Sequence, residues 1–392
     1  MRVLTFTTLY PSEERPQHGI FVETRLRKLV DSGAVAARVV APCPWFPFVS
    51  PRFGRYGEYA RVPRLEQRNE LRIDHPRYPL LPKIGMSAAP LLLFTATLPL
   101  LRRQLAAGYD FDLIDAHYFY PDGVAAVLLG KVLGRPVVIT ARGSDLNIIG
   151  GYRVPRRWIK WAARHAGALV AVSSGLQRRL AALGVAPDGV RVLRNGVDLR
   201  LFRPWPREAA RRNVGFNRPT LLAVGNLVPL KRHWLMVEAL ALLPGVELAI
   251  VGHGPEAVAL EQLARDRGVA DRVRLFGQVA QDQLPEIYTA ADLLLLVSTH
   301  EGWPNVLLES MACGTPVIVS NFDGVGDIVS APEAGWILEE ATPATLAAAV
   351  ARLLAAPLSR EATRRFAEAF DWCSTTKGQI ELFHKVCGLH RN

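Results

Sequence analysis

Cysteine is scarce in this chain of 392 residues, which has four cysteines in all. No two of them are spaced as CxxC or as the ligands of a zinc site. The pattern therefore gives no zinc centre and indicates reduced thiols in a cytoplasmic setting.

The N-terminal stretch lacks the pattern of a secretion signal, so we do not expect export. The N-terminal stretch MRVLTFTTLYPSEERP has one positive charge ahead of a short apolar run and no small-residue cleavage site, so it predicts a buried first strand. An uncharged apolar run at 84–101 approaches the roughly 20 residues of a membrane span, but Pro90 and Pro99 interrupt it. We expect a buried or interfacial helix there, in a cytoplasmic protein that is peripheral on the inner membrane face.

Acidic residues are few in the first half. Residues 1–200 contain 29 Lys and Arg against 15 Asp and Glu, a net charge of +14, whereas residues 201–392 have 18 against 21, a net charge of −3. This asymmetry points to an anionic partner of the first half. Nucleic acid, a membrane surface and a phosphorylated substrate all remain open, as does a basic surface kept for solubility.

The length and the alternation of short apolar runs with helical stretches predict two α/β domains with parallel sheets. The predicted strands lie at 3–7, 38–41, 113–116, 137–140, 169–172, 190–193, 220–224, 246–251, 273–276, 293–297 and 316–319. The clearest predicted helices lie at 122–133, 155–165, 175–183, 231–242, 256–267, 282–290, 304–312, 343–355 and 359–370.

Three segments do not follow that alternation. Residues 43–82 are crowded with Pro, Arg and aromatic residues, which predicts a long loop over the mouth of the first domain. Residues 200–219 predict a Pro- and Arg-rich connection between the domains. A last helical stretch at 372–387 has one apolar face, which needs a surface to lie against.

The most informative stretch is HEGWPNVLLESMACGTPVIVS at 300–320. Its pattern predicts a loop, a short helix and a Gly turn between two buried strands. Two carboxylates, Glu301 and Glu309, are separated by seven residues, among them Pro304, which begins the helix. Because ligands bind at the carboxyl ends of strands in such sheets, and helix N-termini bind anions, we expect a ligand site here.

Glycine-containing loops follow three other strands of the second half. They read VGNLVPLKRHW at 224–234, VGHGPE at 251–256 and FGQV at 276–279. Lys231 and Arg232 stand at the N-terminus of a helix, where cations are opposed by the helix dipole. An anionic ligand bound between them would remove this unfavourable interaction. Four such loops on one sheet edge form a rim the size of a nucleotide.

Together with NGVD at 195–198 and ARGSD at 141–145, these motifs closely resemble the retaining glycosyltransferases of family 4 over nearly the whole chain. The resemblance implies the GT-B fold, with two Rossmann-like doubly wound domains facing a cleft. Residues 1–200, completed by the helix at 372–392, would bind the acceptor. Residues 201–371 would bind a nucleotide-sugar donor.

The resemblance also implies roles for single residues. Lys231 would contact the donor diphosphate, Glu301 the hydroxyls of the transferred sugar and Glu309 the ribose, while Gly19 would lie under the diphosphate. Backbone N–H groups of the first turn of the helix would contact phosphate and sugar. The full predicted donor set is Gly19, Gly225, Asn226, Arg232, Gly252, His253, Gly254, Val279, Gly302, Trp303, Pro304, Asn305, Val306, Leu307 and Glu309.

Two positions depart from the family pattern. Asn226 stands where the family commonly has an Arg beside the diphosphate, which leaves Lys231 as the main cation on the leaving group. Arg142 stands where many members have a His, so a role for that His cannot be transferred. We expect Arg142 and Asp145 on the acceptor side. His117 is a candidate catalytic residue that serves the acceptor, or a hydrogen-bonded structural His.

No first-half carboxylate can be identified as the nucleophile that a double displacement needs. We therefore expect a front-face reaction in which the leaving diphosphate receives the acceptor proton. No Asp-x-Asp pair stands in the right setting, so no metal ion or other cofactor is expected.

The sequence thus predicts an enzyme that moves a sugar from a UDP- or GDP-sugar to a glycan or lipid-linked acceptor in cell-surface polysaccharide biosynthesis. We expect an anionic membrane surface as a further partner, and no nucleic acid. Two alternatives remain: a GT-B sugar-nucleotide epimerase, and a basic nucleic-acid-binding protein, although no recognisable binding module is present.

Overall fold

The computed structural model describes residues 1–80 and 85–390. The chain divides into two units. The first contains Met1–Asn195 and the C-terminal segment that begins at Cys373, and the second is Gly196–Trp372.

Ten strands and seven helices precede residue 195 in the described part of the first unit. The strands are β1 (Arg2–Phe6), β2 (Ala36–Val40), β3 (Cys43–Trp45), β4 (Leu65–Arg68), β5 (Leu71–Asp74), β6 (Arg77–Pro79), β7 (Leu113–His117), β8 (Val137–Ala141), β9 (Ala168–Ala171) and β10 (Val190–Val192). The helices are α1 (Ile20–Asp31), α2 (Arg55–Arg61), α3 (Gly85–Ala106), α4 (Val124–Leu133), α5 (Ser144–Asn147), α6 (Arg153–His165) and α7 (Ser174–Ala182).

The main sheet of this unit has the strand order β10-β9-β8-β7-β1-β2-β5-β4. Its pairs are parallel except β4 with β5, which is antiparallel at the edge. Strands β7 and β8 are buried along their whole length, as expected when helices cover both faces of a parallel sheet. The strand order reverses between β1 and β7, so their carboxyl ends flank the crevice where such sheets bind ligands.

The prediction of one long loop over 43–82 is wrong for the described residues. This segment forms the small parallel sheet β3-β6, the helix α2 and the hairpin β4-β5. Short edge strands with charged exposed positions do not give an apolar run, so the composition hid them. Residues 81 and 82 lie outside the described residues.

Helix α3 contains the predicted apolar helix, except for Ile84, which lies outside the described residues. It is long and apolar enough to cross a membrane, and it continues through Pro90 and Pro99. Its 18-residue apolar window is 22% buried. Most of this window is therefore half-buried or exposed.

The C-terminal helix, α15 (Cys373–His390), belongs to the first unit. Its buried Leu382, Phe383 and Val386 join a core cluster with Val3 and Leu113 of the sheet. The apolar face predicted for this stretch therefore packs on the first unit.

The second unit begins with helix α8, which was not predicted because Pro and Arg dominate the segment at 200–219. Its strands are β11 (Thr220–Val224), β12 (Glu247–Val251), β13 (Val273–Gly277), β14 (Leu293–Leu296), β15 (Val317–Ser320) and β16 (Gly335–Leu338). Its helices are α8 (Arg207–Val214), α9 (His233–Ala241), α10 (Ala257–Asp266), α11 (Leu284–Ala290), α12 (Asn305–Ala312), α13 (Pro343–Ala355) and α14 (Arg360–Glu368).

These six strands form one parallel sheet in the order β13-β12-β11-β14-β15-β16. This is the doubly wound dinucleotide-binding order, and its direction reverses between β11 and β14. The fold is α/β with parallel sheets in both units, as the sequence predicts.

Candidate active site

The loops after β11 and β14 meet at the point where the strand order of the second unit reverses. The N–H of Thr299 donates to the carbonyl of Leu230 at 3.0 Å, which ties the two loops together. Lys231 Nζ lies 2.5 Å from Glu301 Oε1, and their side chains are 18% and 12% exposed. Two predicted site residues, 70 positions apart, thus form a partly exposed ion pair at this point.

The glycine loops after β11 and β12 lie against each other. Gly225 N–H donates to the carbonyl of Val251, and Leu227 N–H donates to that of His253, both at 2.9 Å. Gly252 has a φ of +143°, and a Cβ there would lie 1.9 Å from the carbonyl oxygen of Gly225. Only glycine fits this contact, so these residues close the backbone rim.

Arg232 takes a different direction from Lys231. Its backbone is left-handed, with a φ of 50°. Its guanidinium donates from Nε to the carbonyl of Val297 at 2.6 Å, and more weakly to that of Ser298. Arg232 therefore anchors the β14 loop. Asn226 is exposed on the β11 loop.

Glu309 lies on α12, where its carboxylate accepts a hydrogen bond from the Tyr288 hydroxyl at 2.8 Å. Burial raises the pKa of Glu309 to about 7, and the bond from Tyr288 opposes this rise. At neutral pH the carboxyl group therefore exists in both protonation states. Sequence reasoning missed Tyr288, whose only signal is a Tyr in an apolar helix, where a buried hydroxyl needs a partner.

The remaining predicted donor residues lie at the start of α12 or along the rim. Pro304 precedes the first turn of α12, which contains Asn305, Val306 and the fully buried Leu307. Trp303 is 7% exposed, and its ring lies 6.4 Å from that of Phe370. On the rim, His253 is exposed, while Gly254, Val279 and Gly302 are half-buried.

In the first unit, Gly19 caps α1 after the loop that follows β1. Its φ is +71°, and a Cβ there would lie 2.3 Å from the carbonyl oxygen of Leu9, so a larger residue does not fit. Asp122 ties this loop to the one after β7. Its carboxylate accepts from the N–H of Thr8 at 2.6 Å and from the hydroxyl of Thr7 at 3.1 Å.

His117 ends β7 and is 1% exposed. Arg142 Nη2 lies 2.7 Å from its Nδ1, and Asp115 Oδ2 lies 3.2 Å from its Nε2. Since a guanidinium only donates, Nδ1 accepts and the proton sits on Nε2, facing Asp115. Burial lowers the pKa of His117 to about 4, so the ring is neutral. Both ring nitrogens have partners within the protein, so His117 fits a structural or positioning role better than that of a proton acceptor.

This contact is part of a closed ring of buried polar side chains. Arg142 also donates to Asn195 at 3.1 Å. Arg25 donates to Asn195 at 3.4 Å and to Gln379 of α15 at 2.6 Å. Gln379 then donates to Asp115 at 3.0 Å. Asn195 begins the NGVD motif but was assigned no role from the sequence, and Arg25, Asp115 and Gln379 carry no motif spacing, so the sequence analysis did not find them.

Asp145 is fully buried in α5, the short helix that follows β8. Its carboxylate accepts from the N–H groups of Phe119 and Gly143 at 2.7 Å, and from that of Arg142 at 3.2 Å. It therefore joins the loops after β7 and β8. Among residues 1–80 and 85–390, no group of three His, Cys, Asp or Glu side chains could hold a metal ion.

Two family models match the chain. "Glycosyltransferase Family 4" matches residues 48–201, and "Glycosyl transferases group 1" matches residues 206–370. The two matches fall on the first and second units, respectively.

Among curated relatives, the D-inositol 3-phosphate glycosyltransferase of Thermobispora bispora is 33% identical over 70% of this chain and 70% of its own length. The putative teichuronic acid biosynthesis glycosyltransferase TuaC of Bacillus subtilis is 29% identical over 84% and 83%, respectively. The N-acetyl-alpha-D-glucosaminyl L-malate synthase of Bacillus anthracis is 26% identical over 60% of this chain. The chain spans 63% of that relative and about half of two others.

Solved structures share the fold along nearly the whole chain. Sucrose-phosphate synthase from Thermosynechococcus elongatus superposes with a TM-score of 0.79 at 20% identity, covering 99% of both chains. HepE of Anabaena, in complex with UDP and glucose, superposes with a TM-score of 0.73 at 20% identity, covering 98% of this chain and 100% of its own. These neighbours are GT-B glycosyltransferases. By its fold, its relatives and both family models, the chain belongs to glycosyltransferase family 4.

Proposed function

We propose that this protein transfers a sugar from a nucleoside diphosphate sugar to a glycan or lipid-linked acceptor, with retention of the anomeric configuration. The observation that carries the proposal is the Lys231–Glu301 pair at the reversal point of the second sheet, with Glu309 on the helix that follows. The structure of HepE contains UDP and glucose, which agrees with such a donor.

In this proposal the second unit holds the donor. Lys231 binds the diphosphate, and the N–H groups at the start of α12 bind phosphate and sugar because the helix dipole favours an anion there. Glu301 accepts hydrogen bonds from the sugar, and Glu309 from the ribose. The Lys231–Glu301 pair is only partly exposed, so the donor would meet two charged groups that already hold each other in place.

The reaction we propose is front-face transfer without a covalent sugar intermediate. The acceptor oxygen bonds to the anomeric carbon while the bond to the diphosphate breaks, and the acceptor proton passes to the leaving phosphate. A double displacement would need an accessible carboxylate nucleophile. In the segments after β7 and β8, Asp122 and Asp145 are instead buried and held by hydrogen bonds. Residues of the chain therefore contribute charge stabilisation and positioning.

We also propose that the first unit works on an anionic membrane surface. Its segment at 43–61 exposes Trp45, Phe48 and Tyr56, each more than half exposed. Aromatic side chains of this kind favour the water–lipid interface. The exposed apolar surface of α3 belongs to the same unit, and the net charge of residues 1–200 supplies attraction of about 1 kcal/mol per Lys or Arg near the lipid. The cytoplasmic location stays a prediction.

The test of the donor site is thermal stabilisation across UDP, GDP, ADP and TDP. A ligand at about 100 times its dissociation constant stabilises the folded protein by about 2.7 kcal/mol. We expect one of the four bases to stabilise clearly more than the others. Stabilisation by none of them at millimolar concentration would refute the donor proposal.

Transfer itself is tested with the sugar nucleotide of the preferred base. We expect release of free nucleoside diphosphate only when a glycan or lipid-linked acceptor is present, and a product with the donor's anomeric configuration by NMR. Conversion of the donor to an epimeric sugar nucleotide, without net release of nucleoside diphosphate, would indicate the epimerase alternative, and an inverted product would refute the front-face mechanism.

A further inference from the structure

A groove of about 710 Å³ lies at the edge of the first sheet where strands begin, opposite the edge that carries Gly19 and His117. Its lining includes Arg2, Arg38, Arg72 and Arg103, with Gln104 and Tyr109 at the end of α3 and just after it. This volume falls within the range of small-molecule sites. None of these residues takes part in the site described above, so the groove needs its own explanation.

Three neighbouring strands place an arginine on the same face of the sheet. Residue Leu4 is paired with Arg38, and Arg2 is two positions before Leu4, so Arg2 and Arg38 share a face. Val39 is paired with Ile73 in a parallel register. Arg38 and Arg72 each come one residue earlier, so they lie opposite each other on adjacent strands and share a face. Like charges that face each other across strands destabilise a sheet. An anion between them would remove this repulsion.

The protein itself neutralises little of this charge. Asp74 pairs with Arg72 at 3.2 Å and also accepts from Gln104 Nε2 at 2.9 Å. The Arg38 guanidinium lies 3.6 Å from the centre of the Tyr109 ring, which orients it without neutralising it. A second carboxylate, Asp112, accepts from the backbone N–H of Arg2 at 2.9 Å. Four arginines against these two carboxylates still leave the groove positive.

Two buried polar atoms in the lining lack hydrogen-bond partners within the described part of the chain. They are the hydroxyl of Tyr109 and Oε1 of Gln104, a residue that is only 6% exposed. Buried polar groups are nearly always satisfied, so such atoms indicate a missing partner. The Tyr109 hydroxyl can donate to an anion, whereas Oε1 can only accept, which requires a ligand that also donates.

We propose that this groove binds a phosphate ester that carries hydroxyl groups. The arginines would bind the phosphate, since guanidinium groups match phosphate oxygens in pairs, and Gln104 would accept from a hydroxyl. The ligand has two sources: a free phosphorylated sugar or polyol, and the head group of an anionic lipid below the exposed surface of α3. The proposal does not rest on the proposed transfer reaction.

The test for a free ligand is calorimetric titration of the full chain with glycerol phosphate, with glycerol as the uncharged reference. We compare the wild type, Arg38→Gln/Arg72→Gln and the matched control Arg178→Gln/Arg179→Gln, two exposed arginines of α7 that lose the same charge. We expect roughly 10- to 100-fold weaker binding in the groove variant and less than about twofold in the control. Equal losses of affinity in the groove variant and the control would refute binding in the groove.

A third variant covers the case in which the groove variant does not fold. Tyr109→Phe keeps the ring under Arg38 and removes only the buried hydroxyl, so we expect normal thermal unfolding and weaker glycerol phosphate binding. Unchanged binding in a folded Tyr109→Phe protein would contradict the role given to the unpartnered hydroxyl.

The lipid source is tested by sedimentation with phosphatidylcholine vesicles that contain phosphatidylglycerol. If the head group is the ligand, the groove variant sediments less than the α7 control, and glycerol phosphate releases the wild type. If the ligand is free, the two variants sediment alike but differ in the titration. A wild type that binds glycerol phosphate in neither assay, with vesicle binding equal in both variants, would refute the proposal.

Discussion

Replacing Glu309 by Gln tests the protonation of the half-buried carboxyl group on α12. In the folded protein burial raises its pKa from the ordinary 4.5 to about 7. The folded state thus binds a proton more tightly than the unfolded state, so this group's contribution to stability is complete below about pH 4.5 and is lost as the pH rises to about 7. Each pKa unit corresponds to about 1.4 kcal/mol, so the whole loss is at most about 3.5 kcal/mol.

Glu309→Gln removes this titration while it keeps an oxygen that accepts from Tyr288. We therefore expect the difference in free energy of unfolding, variant minus wild type, to increase by about 2 kcal/mol as the pH rises from about 5.5 to about 8.5. The assay is the free energy of unfolding of the full chain against pH, measured for wild type, Glu309→Gln and the control Glu261→Gln, an exposed carboxylate on α10. The curve of the control against pH should run parallel to that of the wild type.

Parallel curves for the wild type and Glu309→Gln would refute the reasoning, because they would mean that the carboxyl group ionises as it does in the unfolded chain. The same variant should bind the preferred nucleotide more weakly, since a carboxylate that accepts from two ribose hydroxyls contributes roughly 1.5–3 kcal/mol. Stability gained at high pH together with lost affinity would show a residue kept for binding at a cost in stability.

Three further substitutions test the loops after β11 and β12. Lys231→Ala should lower turnover by at least about 100-fold in steady-state kinetics; near-normal turnover would place the charge stabilisation elsewhere. Asn226→Arg should be tolerated or mildly activating, because it restores the cation of the family pattern, and loss of donor binding would contradict this. Gly252→Ala should destabilise by more than about 2 kcal/mol in thermal unfolding, because its Cβ would meet the Gly225 carbonyl; an unchanged midpoint would show that the rim can relax.

The second unit was predictable because its strands are buried on both faces. A run such as Leu293–Leu296 is apolar at every position, and each predicted strand matched an observed one within about two residues. Gly252 and Pro304 marked loop and helix starts through conformational requirements that are local to the chain. Strand β16 was not predicted, because Gly335 and half-buried side chains weaken its apolar pattern.

The segment at 43–80 was not predictable in the same way. Strands β4 and β5 carry charged residues at alternate positions and form a hairpin at the sheet edge, held by the pairing of β5 with β2. That pairing joins residues more than thirty positions apart, and no local composition records it. The aromatic residues that suggested a loop instead pack on one another within and between short elements, as when Phe48 stacks on Phe53 at 5.2 Å.

The site residues that belong to a sequence motif were predictable, whereas those placed by long-range contacts were not. Lys231 and Glu301 were found separately, through their loops, and only the sheet order explains why they meet. The Tyr288 hydroxyl changes the electrostatics of Glu309 from 21 residues away. A single sequence contains no spacing rule for such a contact.

The buried ring in the first unit shows what such contacts do to a candidate catalytic residue. Arg25 and Arg142 bring two positive charges into the interior, where Asp115 lies in the ring and Asp145 lies beside Arg142, and burial lowers the pKa of both guanidinium groups. Their hydrogen bonds offset this cost only if every member keeps its place. His117 is therefore held in one tautomer by a ring that closes through Gln379 of α15. The C-terminal helix thus reaches the end of β7 from more than 250 residues away, because Gln379 donates to the same oxygen of Asp115 that faces the His117 ring.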